Sequence, residues 1–262
     1  MKLTVLVDNN TIIDRYFLAE PALSFYIEDC GKKILFDAGY SDVFIKNAEK
    51  LNIDLCNLDF VILSHGHSDH TRGLEYLIDI YKKKKHSKPA LIAHPRIFHK
   101  KEFKGENIGI KTKSGVLKKY FNISLSASPV KLTKNLNFLG EIPRTNSFET
   151  SSIGGDALTD DTALVYQTQK GLTIITGCSH SGICNISEHA KKLFKNKKID
   201  KIIGGLHLLA PRDNLLAKTV NYLVKQKLTK LYPCHCVDLK SKVALTKKII
   251  TEEIGSGSIL KF

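Results

Sequence analysis

The stretch FVILSHGHSDH at residues 60–70 carries more structural information than any other part of this chain. An apolar run from Phe60 to Leu63 predicts a strand, and three histidines and one aspartate follow it within a few residues. His65 and His67 are two residues apart, so in an extended chain their side chains point the same way and can reach one cation. The pattern therefore predicts a metal site at the end of a strand.

The ligand types narrow the choice of metal. Asp69 and His70 lie beyond the predicted strand, where a loop can turn them toward a second cation. Neutral imidazoles with one carboxylate suit zinc, iron or manganese better than calcium or magnesium, which prefer oxygen ligands. A metal-free polar turn is the alternative, but four ligand-type residues at this spacing argue against it. We expect divalent metal ions, with zinc first and iron or manganese as alternatives.

Composition limits the class of protein. The chain has 262 residues, of which 42% are hydrophobic and 25% charged, the balance of a soluble globular protein. We expect one domain over residues 1–262. No apolar run approaches the roughly 18 residues of a membrane span. The N-terminal segment becomes acidic at Asp8 and predicts a first strand rather than a signal peptide, so we expect a cytoplasmic protein without membrane association.

Cysteine usage and net charge bear on compartment and partners. The six cysteines show no CxxC spacing, which favours a reducing compartment over a disulfide scaffold. A formal charge of +14 is compatible with nucleic acid. The lysines are dispersed, however, and few aromatic residues lie between them. A small anionic substrate is therefore the expected partner and nucleic acid is not; the sequence predicts no particular oligomeric state.

Apolar patterns predict an α/β chain. Predicted strands cover residues 3–7, 23–28, 33–37, 60–64, 89–95, 163–167, 172–176, 201–204 and 229–232. Helical periodicity marks residues 43–51, 73–81, 186–194 and 214–226. The polar stretch that ends near Ser114 is expected to be a lid or an insertion. The two halves follow a similar order, which suggests two sheets covered by helices.

The metal motif and two flanking strands carry a family resemblance. His65-x-His67-x-Asp69-His70 after a hydrophobic strand resembles the signature of the metallo-β-lactamase-fold superfamily. KILFDAG at residues 33–39 and LTIITG at 172–177 resemble the strands that precede and follow that motif in the superfamily. The resemblance implies an αββα four-layer sandwich with a binuclear metal site. It also implies that Asp37 orients a metal ligand rather than binding metal.

Further segments are similar to a narrower group, which carries the name dihydropterin-(ribofuranosyl)aminobenzene 5′-phosphate synthase. These segments are DNNT at residues 8–11, PALSF at 21–25, TGCSHSG at 176–182, GGLHL at 204–208 and CHC at 234–236. The resemblance implies a metal-dependent hydrolase or transferase that acts on a small anionic metabolite, pterin- or phosphate-containing.

Three later histidines are candidates to complete the site. His180 follows a predicted strand and has small neighbours that permit close backbone approach, so it is expected to be a ligand. His235 occupies the place of the superfamily's last metal histidine and is assigned to the second metal, with a buried core histidine as the alternative. His207 has two open roles, metal ligand or proton-transferring group. The expected ligand set is His65, His67, Asp69, His70, His180 and His235. The remaining histidines, expected to be ordinary surface or supporting residues, are His86, His94, His99 and His189.

The chain departs from the superfamily pattern in two places. Where many members have Thr-Gly-Asp with a metal-bridging Asp, this chain has Thr176-Gly177-Cys178. A metal-binding thiolate at Cys178 and a buried neutral thiol both fit, the second being the commoner state. The usual histidine loop before this strand pair is also missing. Asp160 and Asp161 lie near its place, as carboxylate ligands or as a plain turn.

The expected chemistry is hydrolysis or group transfer. Two adjacent cations lower the pKa of a bound water from 15.7 toward about 7. Asp69 is expected to hold that water as well as to bind metal, and His207 to protonate the leaving group. One alternative is a nuclease or phosphodiesterase acting on nucleic acid, favoured by the basic charge. The other is a non-enzymatic metal or redox sensor that uses Cys178, Cys234 and Cys236.

Overall fold

A computed structural model describes residues 1–149 and 156–262 of the chain. The described residues fall into two units, the first formed by Met1–Ala127 with Ile254–Phe262 and the second by Ser128–Glu253. Each unit has its own mixed sheet and its own apolar core. Within the described ranges, no helix combines the length and the apolar composition needed to cross a bilayer.

The elements follow the chain in this order. The strands are β1 (Lys2–Val7), β2 (Ser24–Asp29), β3 (Lys32–Phe36), β4 (Phe60–Ile62), β5 (Ala90–Ala93), β6 (Glu102–Phe103), β7 (Glu106–Asn107), β8 (Asn122–Leu125), β9 (Val130–Lys131), β10 (Leu136–Phe138), β11 (Ala163–Gln167), β12 (Leu172–Thr176), β13 (Ile199–Gly204), β14 (Lys230–Pro233) and β15 (Ile259–Lys261). The helices are α1 (Val43–Lys50), α2 (Ser68–Thr71), α3 (Leu74–Lys83), α4 (Ser114–Tyr120), α5 (Ile183–Leu193), α6 (Asp213–Lys225) and α7 (Leu239–Thr246), with a 3₁₀ turn at Pro95–Phe98.

The first unit contains a seven-stranded sheet in the order β15-β1-β2-β3-β4-β5-β8. Strands β1 to β3 pair antiparallel, whereas β3, β4, β5 and β8 run parallel to their neighbours. Phe36, Ile62 and Ile92 lie in register at the carboxyl ends of β3, β4 and β5. The residues that follow, among them Asp37 and Ser64, therefore meet at one edge of the sheet, where α/β proteins place their sites.

The second unit repeats this arrangement with a six-stranded sheet in the order β14-β13-β12-β11-β10-β9. Strands β9 to β12 pair antiparallel, and β12, β13 and β14 are parallel. Thr176, Gly204 and Pro233 are in register at the ends of the parallel strands. The three turns that carry the later histidines therefore leave this sheet at one edge.

Helix α3 illustrates how the sequence pattern produces the core. Leu74, Leu77, Ile78 and Tyr81 repeat at three and four residues, so they share one face, and all four are buried in the core of the first unit. Burying each such side chain contributes about 1.5–3 kcal/mol. The lysines at the helix end stay exposed. The periodic pattern thus predicts both the helix and its buried face correctly.

The predicted elements are confirmed in type, with shifted boundaries. Helix α5 begins at Ile183 rather than Ile186, because Gly182 lies at φ +91° and the helix starts directly after it. Several elements were not predicted from the sequence. They are the short strands β6 to β10 and β15 and the helices α2, α4 and α7. Most of these have two to four residues, too few for an apolar period to be recognised.

Candidate metal centre

The motif at residues 60–70 leaves the sheet as a tight turn. Leu63 still donates its backbone N–H to Ile92 O at 3.0 Å, and the chain then turns into α2 at His67. His65 and His70 are fully buried, and His67 is nearly so. Buried imidazoles need polar partners, so this turn is built for polar or metal contacts rather than for solvent.

His65, His67 and Asp69 have the spacing of a metal-ligand set. His65 Nε2 lies 3.0 Å from His67 Nδ1, and ligand atoms of the three residues all lie within 4.8 Å of one another. Zinc–nitrogen and zinc–oxygen bonds of about 2.0–2.2 Å are compatible with donors spaced in this way. Two imidazoles and one carboxylate are also a donor set that suits first-row divalent metals. These residues therefore fit the metal that the sequence predicts.

The buried carboxylate of Asp37 helps to position His65 and His70. Asp37 accepts hydrogen bonds from the Ser64 backbone N–H and the Ser64 hydroxyl, each at 2.7 Å, and pairs with His70 Nδ1 at 2.7 Å. The Ser64 hydroxyl also lies 2.9 Å from His65 Nδ1. Both imidazoles are thereby held through Nδ1, which leaves Nε2 of each ring for a metal or another partner. His70 Nε2 lies 3.6 Å from Asp69 Oδ2.

The polar segment after β5 is tied to the motif by backbone pairing. Ser68 donates its N–H to Ile108 O at 2.8 Å, and His67 forms an isolated antiparallel bridge with Gly109. The segment contains the hairpin of β6 and β7, turned at Gly105. A lid or an insertion was expected here, and the backbone pairing places Ile108 and Gly109 of this segment directly against the motif.

The second unit gathers the other three histidines that the sequence singles out. His180 follows β12, His207 follows β13 and His235 follows β14. The rings of His180 and His207 have centroids 4.3 Å apart with planes at 56°. Burial lowers the pKa of His207, and the charge of His235 lowers it further. His207 is therefore held mainly in its neutral form at pH 7, the form that binds metal or accepts a proton.

Small residues and a thiol hold these turns together. The Cys236 thiol accepts a hydrogen bond from the His207 backbone N–H at 3.2 Å and donates to Cys178 O at 3.4 Å. Ser179 donates its hydroxyl to Gly205 O at 2.6 Å. A Cβ at Gly205 would lie 2.4 Å from Gly177 O and 2.5 Å from Cys236 Sγ, so only glycine fits there. The positioning role of Cys236 was not evident from the sequence.

Asp161 has a supporting role that neither reading of the sequence foresaw. It is buried, and its Oδ2 accepts from the Ser181 N–H at 2.8 Å and from the Ser181 hydroxyl. Burial raises the pKa of this carboxyl to about 6. Asp161 thus fixes the loop directly after His180. Asp160 is also buried.

His94, expected to be a surface or a supporting residue, has a supporting position in the structure. It is buried, and it follows β5 at the same sheet edge as Asp37 and Ser64. Its Nδ1 accepts the backbone N–H of Arg96 at 3.2 Å and caps the 3₁₀ turn. His86 stacks on Tyr81, with ring centroids 4.2 Å apart.

Comparison with known proteins agrees with this geometry. Residues 19–194 match the family model of the metallo-beta-lactamase superfamily. The chain belongs to the metallo-β-lactamase superfamily. That match spans the motif at residues 60–70 and His180, whereas His207 and His235 lie beyond it. The α/β metallo-β-lactamase fold expected from the sequence is thereby confirmed.

The similar proteins match this chain over nearly its whole length. A 7,8-dihydropterin-6-methyl-4-(beta-D-ribofuranosyl)-aminobenzene-5'-phosphate synthase of Methanocaldococcus jannaschii is 30% identical and covers 100% of this chain and 97% of its own. An uncharacterized protein of the same organism is 35% identical over 93% of this chain and 92% of its own. A crystal structure of a metal-dependent hydrolase of the beta-lactamase superfamily matches with a TM-score of 0.84 and 28% identity, covering 100% of this chain and 99% of that one. The resemblance to the dihydropterin group is thus shown.

Proposed function

We propose that this chain is a metal-dependent hydrolase or transferase acting on a small anionic metabolite that contains a phosphate or a pterin. The observation that carries the proposal is the set of His65, His67 and Asp69, whose ligand atoms lie within 4.8 Å of one another. Two of the three are buried and the carboxylate is partly exposed, as a site that must admit substrate requires. We propose zinc as the metal and two ions per chain.

The chain's own residues have distinct proposed roles. His65 and His67 are proposed to hold the metal. Ser64 orients the His65 ring through Nδ1, which leaves Nε2 of that ring for the ion. When bound, a divalent ion lowers the pKa of water toward about 7 and polarises a phosphoryl or carbonyl oxygen. Asp69 is proposed to orient the attacking water through its partly exposed carboxylate. His207 is proposed as a ligand or as a group that transfers a proton near the substrate.

The decisive experiment combines metal content with turnover. Protein purified without chelators is analysed for zinc, iron and manganese and assayed on p-nitrophenyl phosphate, bis(p-nitrophenyl) phosphate and pterin phosphates. We expect His67→Ala to lose metal and to lower kcat/KM at least about a hundred-fold, since a catalytic metal supplies several kcal/mol. The matched control is His99→Ala, which removes an exposed histidine of the same unit. Full metal content and full turnover in folded His67→Ala would overturn the proposal.

The basic charge supports one rival activity. A formal charge of +14 favours a nuclease or phosphodiesterase acting on nucleic acid. Turnover of a short RNA whose binding weakens steeply between 50 and 200 mM salt would support this rival. Turnover restricted to small phosphoesters, with little dependence on salt, would exclude it.

A further inference from the structure

A cavity of about 250 Å³ lies in the second unit beside His207. Its apolar walls are Phe148, Leu206, Leu208 and Leu215. Its charged lining residues are Glu149 and Arg212. Apolar walls with a few placed polar groups are typical of small-molecule sites. The volume suits a ligand with one or two small rings.

Glu149 does not offer a free carboxylate to this cavity. Its Oε1 accepts the backbone N–H of Cys184 at 2.9 Å, and its Oε2 accepts from Asn185 N at 3.0 Å and Asn146 Nδ2 at 2.6 Å. The negative charge therefore lies against the positive N-terminal end of α5 and is largely compensated there. A Cβ at Gly182 would clash with Glu149 at 2.3 Å, so glycine is what permits this arrangement.

Arg212 is the uncompensated charge of the cavity. Among residues 1–149 and 156–262, no hydrogen-bond or ion-pair partner contacts its guanidinium. The adjacent acid, Asp213, pairs instead with Lys240 Nζ at 2.7 Å. A guanidinium presents a planar set of donors that matches phosphate and carboxylate oxygens. Arg212 is exposed to solvent, so the cavity has an accessible anion-binding group that no described residue neutralises.

The start of α6 adds two further features. Arg212 precedes the first residue of this 13-residue helix, whose N-terminus has no side-chain cap. Its backbone N–H groups favour an anion at that end. Thr219 lines the same cavity from α6 and is buried.

We propose that this cavity binds the substrate through an anionic group, a phosphate or a carboxylate, which pairs with Arg212 while the apolar walls hold the ring that carries it. Arg212 is then a specificity-determining residue for anionic substrates. That the bound anion is a substrate rests on the proposed function, whereas the anion site itself rests on the cavity and Arg212. The two can therefore be tested apart.

The test is the binding of phenylphosphonate, which resembles a phosphoester but is not hydrolysed. Affinity is measured by calorimetry on the full chain, as purified and after metal removal. We expect Arg212→Gln to weaken binding roughly ten-fold or more in both states, the effect of losing charged hydrogen bonds. Arg212→Lys, which keeps the charge but loses the planar donors, should fall between. The matched control is Lys225→Gln, which removes one exposed charge from the far end of α6 and should change affinity less than about two-fold.

Two further probes test the two parts of the ligand. Methylphosphonate lacks the ring and should bind more weakly than phenylphosphonate, and benzoate shows whether a carboxylate replaces the phosphonate. Equal affinity in Arg212→Gln and Lys225→Gln overturns the anion site, and equal affinity for methyl- and phenylphosphonate overturns the apolar walls. A chain that binds phenylphosphonate through Arg212 but hydrolyses no phosphoester keeps this inference and loses the proposed function. Turnover that Arg212→Gln leaves unchanged keeps the proposed function and loses this inference.

Discussion

The two histidine groups of this chain are held in place by different means. In the first group, His65, His67 and His70 come from one short turn, and a buried carboxylate, Asp37, fixes the turn through ionic hydrogen bonds. In the second group, His180, His207 and His235 come from the ends of three parallel strands. Backbone carbonyls, a thiol and a glycine contact hold those ends together.

This difference teaches where each group is vulnerable. The first group depends on charge, because removing one carboxylate leaves several buried donors without a partner. The second group depends on space, because its turns approach so closely that a single methyl group at Gly205 would collide with backbone. Charge substitutions should therefore affect the first group most, and small-to-large substitutions the second.

The largest effect is expected from Asp37→Ala. The change removes the acceptor for both Ser64 donors and for His70 Nδ1 in a fully buried place. We expect the free energy of unfolding in urea to fall by about 3–5 kcal/mol. Asp37→Asn, which preserves shape, should lower metal affinity about 10–100-fold in a competition assay. The matched control is Asp79→Ala, an exposed acid paired with Lys82, expected to cost less than about 1 kcal/mol. Equal effects at positions 37 and 79 would remove the distinction in charge.

A second prediction concerns pH and the buried Asp161 of the second unit. Its pKa is raised by burial from 3.8 to about 6, so the folded chain binds more protons than the unfolded chain between those values. The carboxyl therefore contributes stability below about pH 4 that is lost as pH rises through about 6. Relative to wild type, Asp161→Asn should gain up to about 3 kcal/mol between pH 4 and pH 8.

Urea unfolding at both pH values, with chelator present, measures this difference. The exposed Asp213→Asn in the same unit should lack it, because Asp213 is solvent-exposed and paired with Lys240. A pH dependence unchanged in Asp161→Asn would mean that this carboxyl titrates normally in the folded chain.

A smaller effect is expected from Gly205→Ala. The added methyl group must displace both Gly177 O and Cys236 Sγ, so we expect a loss of about 1–3 kcal/mol in the free energy of unfolding. Gly115→Ala in α4 meets no atom within 4 Å and should be neutral or stabilising by up to about 1 kcal/mol. Thermal unfolding of both variants checks the contrast. Equal stability of the two variants would show that the turns of the second unit are not sterically limited.

Much of the fold was predictable because its signals are local. Apolar runs of four to six residues and a three-to-four periodicity predicted the strands and helices that flank both histidine groups, as at β12 and α3. Strands of two or three residues, such as β9 and β15, were missed because pairing with neighbours, not their own pattern, makes them strands.

The sequence by itself determined the family, and it singled out the histidine motif and the three later histidines, since each stands in a short stretch whose spacing or flanking strand is readable without contacts. Only the tertiary structure decided what supports them. Cys236 contacts His207 across 29 residues, Asp37 contacts Ser64 across 27, and Asp161 contacts Ser181 across 20. The anion cavity at Arg212 likewise draws on the loop before α5, two strand ends and α6. Such contacts depend on which strand ends the sheet places side by side, and no local pattern in the sequence records that order.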